Sequence, residues 1–396
     1  MNLNRRRIYL DHAATTPIDP EVLAEMTPYF SDVFGNASSQ HSFGRETAFA
    51  VEEARVKVAK AIGASSNEIY FTSGGTESDN WAIKGVAEVK SGKHIIVSSI
   101  EHPAILHAVK QLASKGYEVT YLPVDNEGCV YGWEEAFRDD TILVSVMLAN
   151  NEVGTIQPIK EIAEAAHKRG ILVHTDAVQA VGAIKVDVKE LGVDLLSMSG
   201  HKFYGPKGIG ALFVRNGVKL GRLLAGGGQE RTMRGGTYNT PAIVGLGAAI
   251  EKATNSLEVN VAKVAALRDD FLEKVRVRIP HILINGAKKG SRLPSNANIS
   301  FKYVEGESIL LSLDEYGIAT SSGSACSSGS LEPSHVLLAM GVPAAFAHGS
   351  IRFSFGKDNT QEDVDYTVEK LTETIERLRK LSPLFSYEKG EGKDVQ

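Results

Sequence analysis

The chain has 396 residues, of which 43% are apolar and 23% are charged, and its formal net charge is −5. A chain of this length can bury a large core and is expected to form two or three domains of roughly 100–200 residues. The slightly acidic balance argues against a nucleic-acid-binding protein, which normally carries a basic patch.

No apolar stretch approaches the roughly 18 residues of a membrane span. The amino terminus also lacks the hydrophobic middle region of a signal peptide. Only two cysteines occur, Cys129 and Cys326, which is too few for a disulfide framework. The sequence therefore predicts a soluble globular protein of the reducing cytoplasm, with no nucleic-acid or membrane partner.

Short β-branched runs alternate with longer amphipathic stretches through the middle of the chain. The first run, EIYFTS at 68–73, precedes a helical pattern over 77–90. This alternation predicts parallel strands covered by helices on both faces, which is an α/β architecture. The further predicted strands lie at 93–99, 118–124, 141–148, 170–176 and 193–199, and the further helices at 103–116 and 159–170.

The pattern changes after about residue 255, where a long helix over 261–279 is followed by shorter strands and a final helix near 361–381. Those strands are predicted at 281–285, 296–303 and 350–356. We expect a smaller α+β domain here, with the N-terminal segment packed onto it. The predicted division is a large domain over 15–255, a small domain over 1–14 and 256–385 that carries the segment around Cys326, and a flexible tail over 386–396.

Polar residues follow the predicted strands at the points where each strand ends. The turn TSGGTES at 72–78 opens a helix, so it is either an anion site or an ordinary capped helix start. The other strand ends carry His102, Asn150 and Asn151, Asp176 with Gln179, and His201 with Lys202.

Each of these residues has a structural explanation when taken alone. Together, at the carboxyl edge of one parallel sheet, they offer a phosphate site, an imidazole, an acid, an amide and an amine. Pyridoxal 5′-phosphate (PLP) requires this combination. Neither the GxGxxG pattern of dinucleotide enzymes nor the GxxxxGK[ST] pattern of nucleotide hydrolases is found in the matching context.

The chain resembles the cysteine desulfurases, the NifS/IscS-type branch of the PLP-dependent class V aminotransferase superfamily. The similarity runs from YLDHAATTPIDPEV near the start to RLRKLSPL near the end. It implies a PLP-dependent transferase of fold type I, with a mostly parallel seven-stranded sheet flanked by helices and a smaller α+β domain. The motifs between these ends, in family order, are FGNASSQHSFGRE, TSGGTES, ANNEVGTIQP, HTDAVQAVG, SGHKFYGPKGIGAL, GGGQERTMRGGT and SSGSACSSGSLEPSHVL.

The resemblance implies roles for the residues around the cofactor ring. Lys202 would bond to the cofactor aldehyde and later shuttle a proton. His102 would stack on the ring and assist proton transfer, Asp176 would face the pyridine nitrogen, and Gln179 would face the phenolic oxygen. Lys202 and His102 would form the catalytic centre together with Cys326, whereas Asp176 and Gln179 would bind the cofactor.

The resemblance also implies the phosphate and substrate contacts. Asn151 and Arg352 would bind the substrate carboxylate, and Asn151 would also contact the cofactor. Gly75 and Gly200 stand where alanine is common in the family, and Ala37 stands where proline is common. The phosphate would be held by Gly75, Thr76, Ser199 and His201, with Thr237 contributed by the partner subunit of a homodimer.

Cys326 lies in SSGSACSSGS at 321–330, among small and polar residues that suit a mobile carrier better than a packed core. Fully extended, these ten residues would span about 33 Å at roughly 3.3 Å per residue. The resemblance implies that L-cysteine becomes L-alanine while its sulfur passes to Cys326 as a persulfide. An iron–sulfur scaffold protein and other sulfur acceptors would take it from there, and the tail after Leu384 is expected to help dock them. Cys129 is assigned no role.

Two alternatives stay open at this point. Within the same fold, the chain could be a selenocysteine lyase or a cysteine sulfinate desulfinase. Outside enzymes, it could be a thiolate or iron–sulfur carrier that uses Cys326 with His335 or His348. Two cysteines are too few for a self-contained cluster, so no intrinsic metal site is predicted, although Cys326 could ligate a cluster shared with a partner.

Overall fold

The computed structural model describes residues 6–288, 290–322, 333–383 and 385. The strands are β1 (Ile8–Tyr9), β2 (Ile69–Thr72), β3 (His94–Ser98), β4 (Glu118–Leu122), β5 (Thr141–Ser145), β6 (Leu172–Asp176), β7 (Leu195–Ser199), β8 (Gly210–Val214), β9 (Ile282–Asn285), β10 (Asn296–Phe301), β11 (Ile318–Ala319) and β12 (Ser350–Ser354).

The helices alternate with these strands in the first two thirds of the chain and surround a smaller sheet in the last third. They are α1 (Pro20–Met26), α2 (Pro28–Ser31), α3 (Ser42–Ala61), α4 (Gly75–Val89), α5 (Pro103–Ala113), α6 (Ile159–His167), α7 (Val188–Leu191), α8 (Thr240–Asn255), α9 (Leu257–Arg278), α10 (Gly306–Glu315), α11 (His335–Ala339), α12 (Ala344–Ala347) and α13 (Gln361–Leu381). None of the helices in the described part of the chain is long and apolar enough to cross a membrane.

The larger sheet has seven strands in the order β2-β8-β7-β6-β5-β3-β4. The five strands from β7 to β4 are parallel, whereas β8 runs antiparallel to both of its neighbours. The predicted mostly parallel seven-stranded sheet is therefore present, and β8 is the strand that the alternating pattern did not reveal.

Both faces of the larger sheet are buried, which explains why its strands read as continuous apolar runs. Successive side chains of a strand point to opposite faces. Accordingly, Ile96, Val144 and Leu196 belong to one buried apolar cluster, and Ile95 and Leu143 belong to another. This packing fixes which residues at the strand ends face the same edge of the sheet.

A smaller unit contains the antiparallel sheet β12-β10-β9, covered by α9, α10 and α13. The N-terminal segment joins it, because β1 pairs in parallel with β11 and Asp11 bridges to Ser354. However, Val336 and Leu337 of α11 pack into the core of the larger sheet. The predicted domain boundaries remain predictions.

Candidate active site

A cavity of about 510 Å³ opens at the carboxyl edge of the larger sheet. The turns after β2, β3, β5, β6 and β7 form most of its wall, and β12 of the smaller unit closes one side. Ten of the residues predicted from the sequence line it: Gly75, Thr76, His102, Asn151, Asp176, Gln179, Ser199, His201, Lys202 and Arg352.

The anion end of the cavity is the start of α4. Gly74 has φ 152°, a conformation that favours glycine, and it directs the chain from β2 into the helix. The first N–H groups of a helix have no partner inside it, so those of Gly75 and Thr76 are available to an anion. Ser199 also lines this end, and the neighbouring Ser73 hydroxyl donates to Glu77.

Gly75 is matched to its neighbour on the opposite turn. A Cβ placed on Gly75 would lie 2.7 Å from Cγ2 of Val178, closer than real Cβ contacts. Gly200 is also crowded, because a Cβ there would lie 3.1 Å from Ile209 and Leu246 side-chain atoms. Gly75 and Gly200, which stand where alanine is common in the family, therefore lie where larger neighbouring side chains leave little room for a Cβ.

Lys202 ends a 3₁₀ turn, Gly200–Lys202, directly after β7. Its Nζ donates to the carbonyl oxygens of Ala13 at 2.6 Å and Ala14 at 2.9 Å. Gln179 Nε2 also donates to Ala13 O, at 2.9 Å. The segment after β1 thus positions Lys202 and Gln179 side by side in the cavity wall, because both donate to the carbonyl oxygen of Ala13.

His201 contacts the same N-terminal segment through its Nδ1, which lies 3.1 Å from Thr15 Oγ1. Burial, with the charges of Lys202 and Lys207, lowers the pKa of His201 to about 4. The ring is therefore neutral at physiological pH, and its Nε2 is left for a ligand in the cavity.

Asp176 is the last residue of β6, and its Oδ1 accepts a hydrogen bond of 2.9 Å from the Val178 N–H. Burial raises the pKa of Asp176, while His102 and Lys202 oppose that shift. A cation brought into the cavity would complete the compensation of this carboxylate.

His102 is the N-cap of α5, and its Nδ1 accepts from the Ala104 N–H at 3.2 Å. This contact places the proton of the neutral ring on Nε2. Burial lowers the pKa of His102, and Lys202 and His335 act in the same direction. His102 is therefore a neutral imidazole that presents Nε2–H.

Arg352 of β12 closes the opposite end of the cavity. Its Nη1 donates to Asn151 O and its Nη2 donates to Asp11 Oδ1, both at 2.9 Å. Its buried Nε has no hydrogen-bond partner among the described residues. An unpaired buried guanidinium donor suits a carboxylate ligand, which can accept from two N–H groups of the fork.

Two predicted site residues lie elsewhere. Cys326 falls within 323–332, outside the described residues. Thr237 is exposed and does not line the cavity of its own chain, so its predicted contact with a partner subunit stays a prediction.

The residues on either side of that segment are attached beside the cavity. Ser321 exchanges two backbone hydrogen bonds with Arg352, with N···O distances of 2.7 and 3.2 Å. Ser334 caps α11 and donates to Glu152 Oε2. Burial raises the pKa of Glu152 to about 7, although Ser334 and Arg352 lower it.

Cys129 lies away from these groups in the turn after β4. Its N–H donates to Asp125 Oδ1 at 2.9 Å, and burial with the charges of Asp125 and Glu127 raises the pKa of its thiol. A raised pKa disfavours the reactive thiolate. The assignment of no role to Cys129 stays a prediction.

The described ranges hold no group of three His, Cys, Asp or Glu side chains that could bind a metal ion. His335 lines the cavity, with its Nε2 3.1 Å from Glu101 O, whereas His348 is exposed. These two histidines do not form a shared site.

Sequence reasoning missed several residues of the cavity wall. Asp79 had a usable signal, since it follows Gly75 by four residues and so shares its helix face. Glu152 directly follows Asn151. The contributions of Asp11, Ala13 and Ala14 come from a contact with the far end of the sequence, which no local pattern reveals.

The chain is similar to known proteins over most of its length. Residues 8–367 match the family described as Aminotransferase class-V. It is 54% identical over 385 residues to a cysteine desulfurase IscS from Clostridium botulinum strain Hall, covering 96% of this chain and 97% of that protein. A cysteine desulfurase IscS from Dictyoglomus turgidum is 56% identical over 383 residues, with the same coverage.

Solved structures show the same architecture. A NifS-like protein superposes with a TM-score of 0.89 at 41% identity, covering 94% of this chain and all of that one. SspA in complex with cysteine gives a TM-score of 0.79 at 38% identity, covering 89% of this chain and all of that one. These superpositions support fold type I for the two units described above.

Proposed function

The chain belongs to the aminotransferase class-V family, and from that premise we propose that it is a PLP-dependent cysteine desulfurase. It converts L-cysteine to L-alanine and receives the sulfur on Cys326 as a persulfide, which serves iron–sulfur cluster assembly. The observation that carries the proposal is that one cavity joins Lys202 and Asp176 to the half-paired guanidinium of Arg352.

The described residues fit PLP. The helix N-terminus at Gly75 and Thr76, with Ser199 and His201, provides donors for a phosphate. Asp176 provides a buried carboxyl that lacks a full set of cationic partners. When bound, PLP supplies an electron sink next to the α-carbon of an amino acid.

The protein residues divide the remaining work. Arg352 binds the substrate carboxylate, because its Nε–H is unpaired and buried. Asn151 keeps that arginine in place through its carbonyl oxygen. His102 holds a proton at Nε2, and the Lys202 amine moves a proton within the cavity.

Sulfur transfer requires a thiolate on the enzyme. The Cys326 thiolate attacks the substrate sulfur, so a sulfur–sulfur bond forms while the carbon–sulfur bond breaks, and protonation of the three-carbon fragment gives alanine. Cys326 is five residues from Ser321, so it can reach at most roughly 16 Å from that point at about 3.3 Å per residue. Ser321 pairs with Arg352 at the substrate end, which supports a reach sufficient for the attack.

The partners of this chain are part of the proposal. A homodimer is supported by four phenylalanines, each more than half exposed, at 30, 34, 43 and 49. Exposed apolar groups of this kind favour a protein interface. We assign the reaction to the cytoplasm, whose reducing conditions keep Cys326 as a free thiol, and its sulfur passes to a scaffold or another sulfur acceptor.

The test is a paired assay of alanine and sulfide released from L-cysteine in the presence of a thiol reductant. Wild type should release the two products in equal amounts, Cys326→Ser should release neither, and Cys129→Ser should match wild type. Activity that persists in Cys326→Ser would overturn the sulfur-acceptor role. Inactivity of wild type despite bound PLP would redirect the substrate to selenocysteine or cysteine sulfinate, which can react without a thiol nucleophile.

A further inference from the structure

Asp79 is a buried carboxyl group of the cavity wall that the proposed reaction does not use. It lies in the second turn of α4, only 1% exposed, and its Oδ1 has no hydrogen-bond partner among the described residues. That oxygen is 3.8 Å from Nε2 of His174 on β6. His174 and Asp176 are two residues apart on one strand and so point to the same face, which places Asp79 beside Asp176.

The surroundings of Asp79 contain acids and neutral donors. Asp176 and the buried Glu101 both face it, and burial with these two charges raises the pKa of Asp79 well above its usual range. Burial also raises the pKa of Glu101 to about 8. The Lys202 ammonium lowers the pKa of Asp176 rather than that of Asp79.

His174 cannot serve as a counter-charge for Asp79. It is fully buried, and burial lowers the pKa of its ring to about 3. Its two nitrogens are taken by Ser145 Oγ at 2.8 Å and Ser197 Oγ at 2.9 Å. The Ser197 hydroxyl is thus the main donor that reaches Asp79.

An ionised Asp79 would be a buried charge that faces two other carboxyl groups with one hydroxyl for compensation, which is strongly unfavourable. A protonated Asp79 instead has a donor O–H and needs an acceptor. Asp176 is the acceptor at hand, because its Oδ1 takes one N–H from Val178 and its other lone pairs are open.

We propose that Asp79 is a positioning residue that keeps its proton at neutral pH and donates it as a hydrogen bond to the Asp176 carboxylate. The inference rests on the proposed function, in which Asp176 faces the pyridine nitrogen. Asp79 fixes the orientation of Asp176 and leaves a single negative charge beside the ring. Its buried Oδ1, which no donor among the described residues reaches, fits a protonated acid.

Infrared spectroscopy of the cofactor-free protein tests the protonation directly. Protein labelled with carbon-13 at the aspartate side-chain carboxyl should show a label-shifted C=O band of a protonated acid at neutral pH. Asp79→Asn should lose this band. Glu77→Gln is the matched control on the same helix and should keep the band, because the label is on aspartate and because Glu77, whose pKa Arg234 and Ser73 lower against its burial, gives no protonated-acid signal of its own. A band that persists in Asp79→Asn, or no such band in wild type, would overturn the proposal.

Cofactor affinity tests the positioning role. The asparagine amide donates as the protonated acid does, so Asp79→Asn should hold PLP within about twofold of wild type. Asp79→Ala removes the donor to a charged group and should weaken PLP binding by about 10- to 100-fold, which corresponds to about 1.4–2.8 kcal/mol. Equal binding by the two variants would contradict the role.

The two experiments distinguish a failure of the Asp79 proposal from a failure of the proposed function. If Asp79→Ala does not fold, the infrared comparison of wild type with Asp79→Asn still decides the protonation. If wild type binds no PLP, the proposed function fails, and the infrared result on the cofactor-free protein stands by itself.

Discussion

The buried ion pair between Arg55 of α3 and Glu230 predicts a large effect for the substitution Glu230→Gln. Both side chains are 2% exposed, and two N···O contacts of 2.8 Å join them in a fork. Glu230 also accepts from the Phe71 N–H at 2.8 Å. Burial by itself would lower the pKa of Arg55, but the contacts with Glu230 raise it overall, so the arginine is charged.

The size of the destabilisation by Glu230→Gln follows from the buried arginine charge that the substitution leaves without a partner. Glutamine keeps the size of glutamate, so the packing is retained while the negative charge is lost. Removal of one partner of a buried ion pair leaves the other charge uncompensated and costs about 3–5 kcal/mol. Glu52 also contacts Arg55, at 3.0 Å, but it is 61% exposed. Glu52→Gln should therefore cost about 0–1 kcal/mol.

Thermal unfolding of the two variants measures this contrast. With an unfolding entropy of about 2.1 cal/mol/K per residue, 396 residues give roughly 0.8 kcal/mol/K. Glu230→Gln should then lower Tm by about 4–6 °C, and Glu52→Gln by about 1 °C or less. Equal decreases in Tm for the two variants would refute the reasoning that burial of the ion pair, and not the contact itself, sets the loss of stability.

Three further predictions concern the cavity and its supports. Gly75→Ala should lower Tm at a cost of about 1–3 kcal/mol, because the new Cβ would lie 2.7 Å from Val178. Val178→Ala in the same chain should recover most of that loss. Calorimetry of the single and double variants checks this, and additive losses would contradict it. Arg352→Lys should raise KM for L-cysteine about tenfold in steady-state alanine assays, because an ammonium cannot pair both carboxylate oxygens, and an unchanged KM would speak against carboxylate binding there. Burial opposes ionisation of Asp19, but two lysine ammonium groups lower its pKa from 3.8 to about 2. Its carboxylate therefore stabilises the fold above pH 3.8, and this contribution is lost as the pH falls through about 2. The difference in urea midpoint between wild type and Asp19→Asn should shrink from about pH 5 to about pH 2, and a constant difference would exclude this assignment.

Much of the fold was predictable because its strands are buried on both faces and so form continuous apolar runs. The run at 141–148 and the strand Thr141–Ser145 illustrate this agreement. The strand Gly210–Val214 was not predicted. Antiparallel neighbours can be joined without a crossover helix, so the residues between Ser199 and Gly210 carry no helical pattern to announce a further strand.

The site was predictable where its residues follow strand ends, as Asp176 and Lys202 do. It was not predictable where folding joins distant segments. Lys202 contacts the carbonyl of Ala13 across 189 positions, and Arg352 contacts Asp11 across 341. Asp79 points into the cavity from a helix whose pattern reads as ordinary packing. The role of Cys326 remains a prediction from the sequence.

The contact between Asp11 and Arg352 has a consequence for biosynthesis. A ribosome adds about 5–20 residues per second, so the 341 positions between these side chains correspond to roughly 20–70 s of synthesis. During that interval the N-terminal segment has emerged without the strand β12 that it later joins. In nascent chains that stop before Arg352, the N-terminal segment that contacts Lys202 should therefore be incompletely fixed in place. Stable cofactor retention should begin only when nearly the whole chain has left the ribosome.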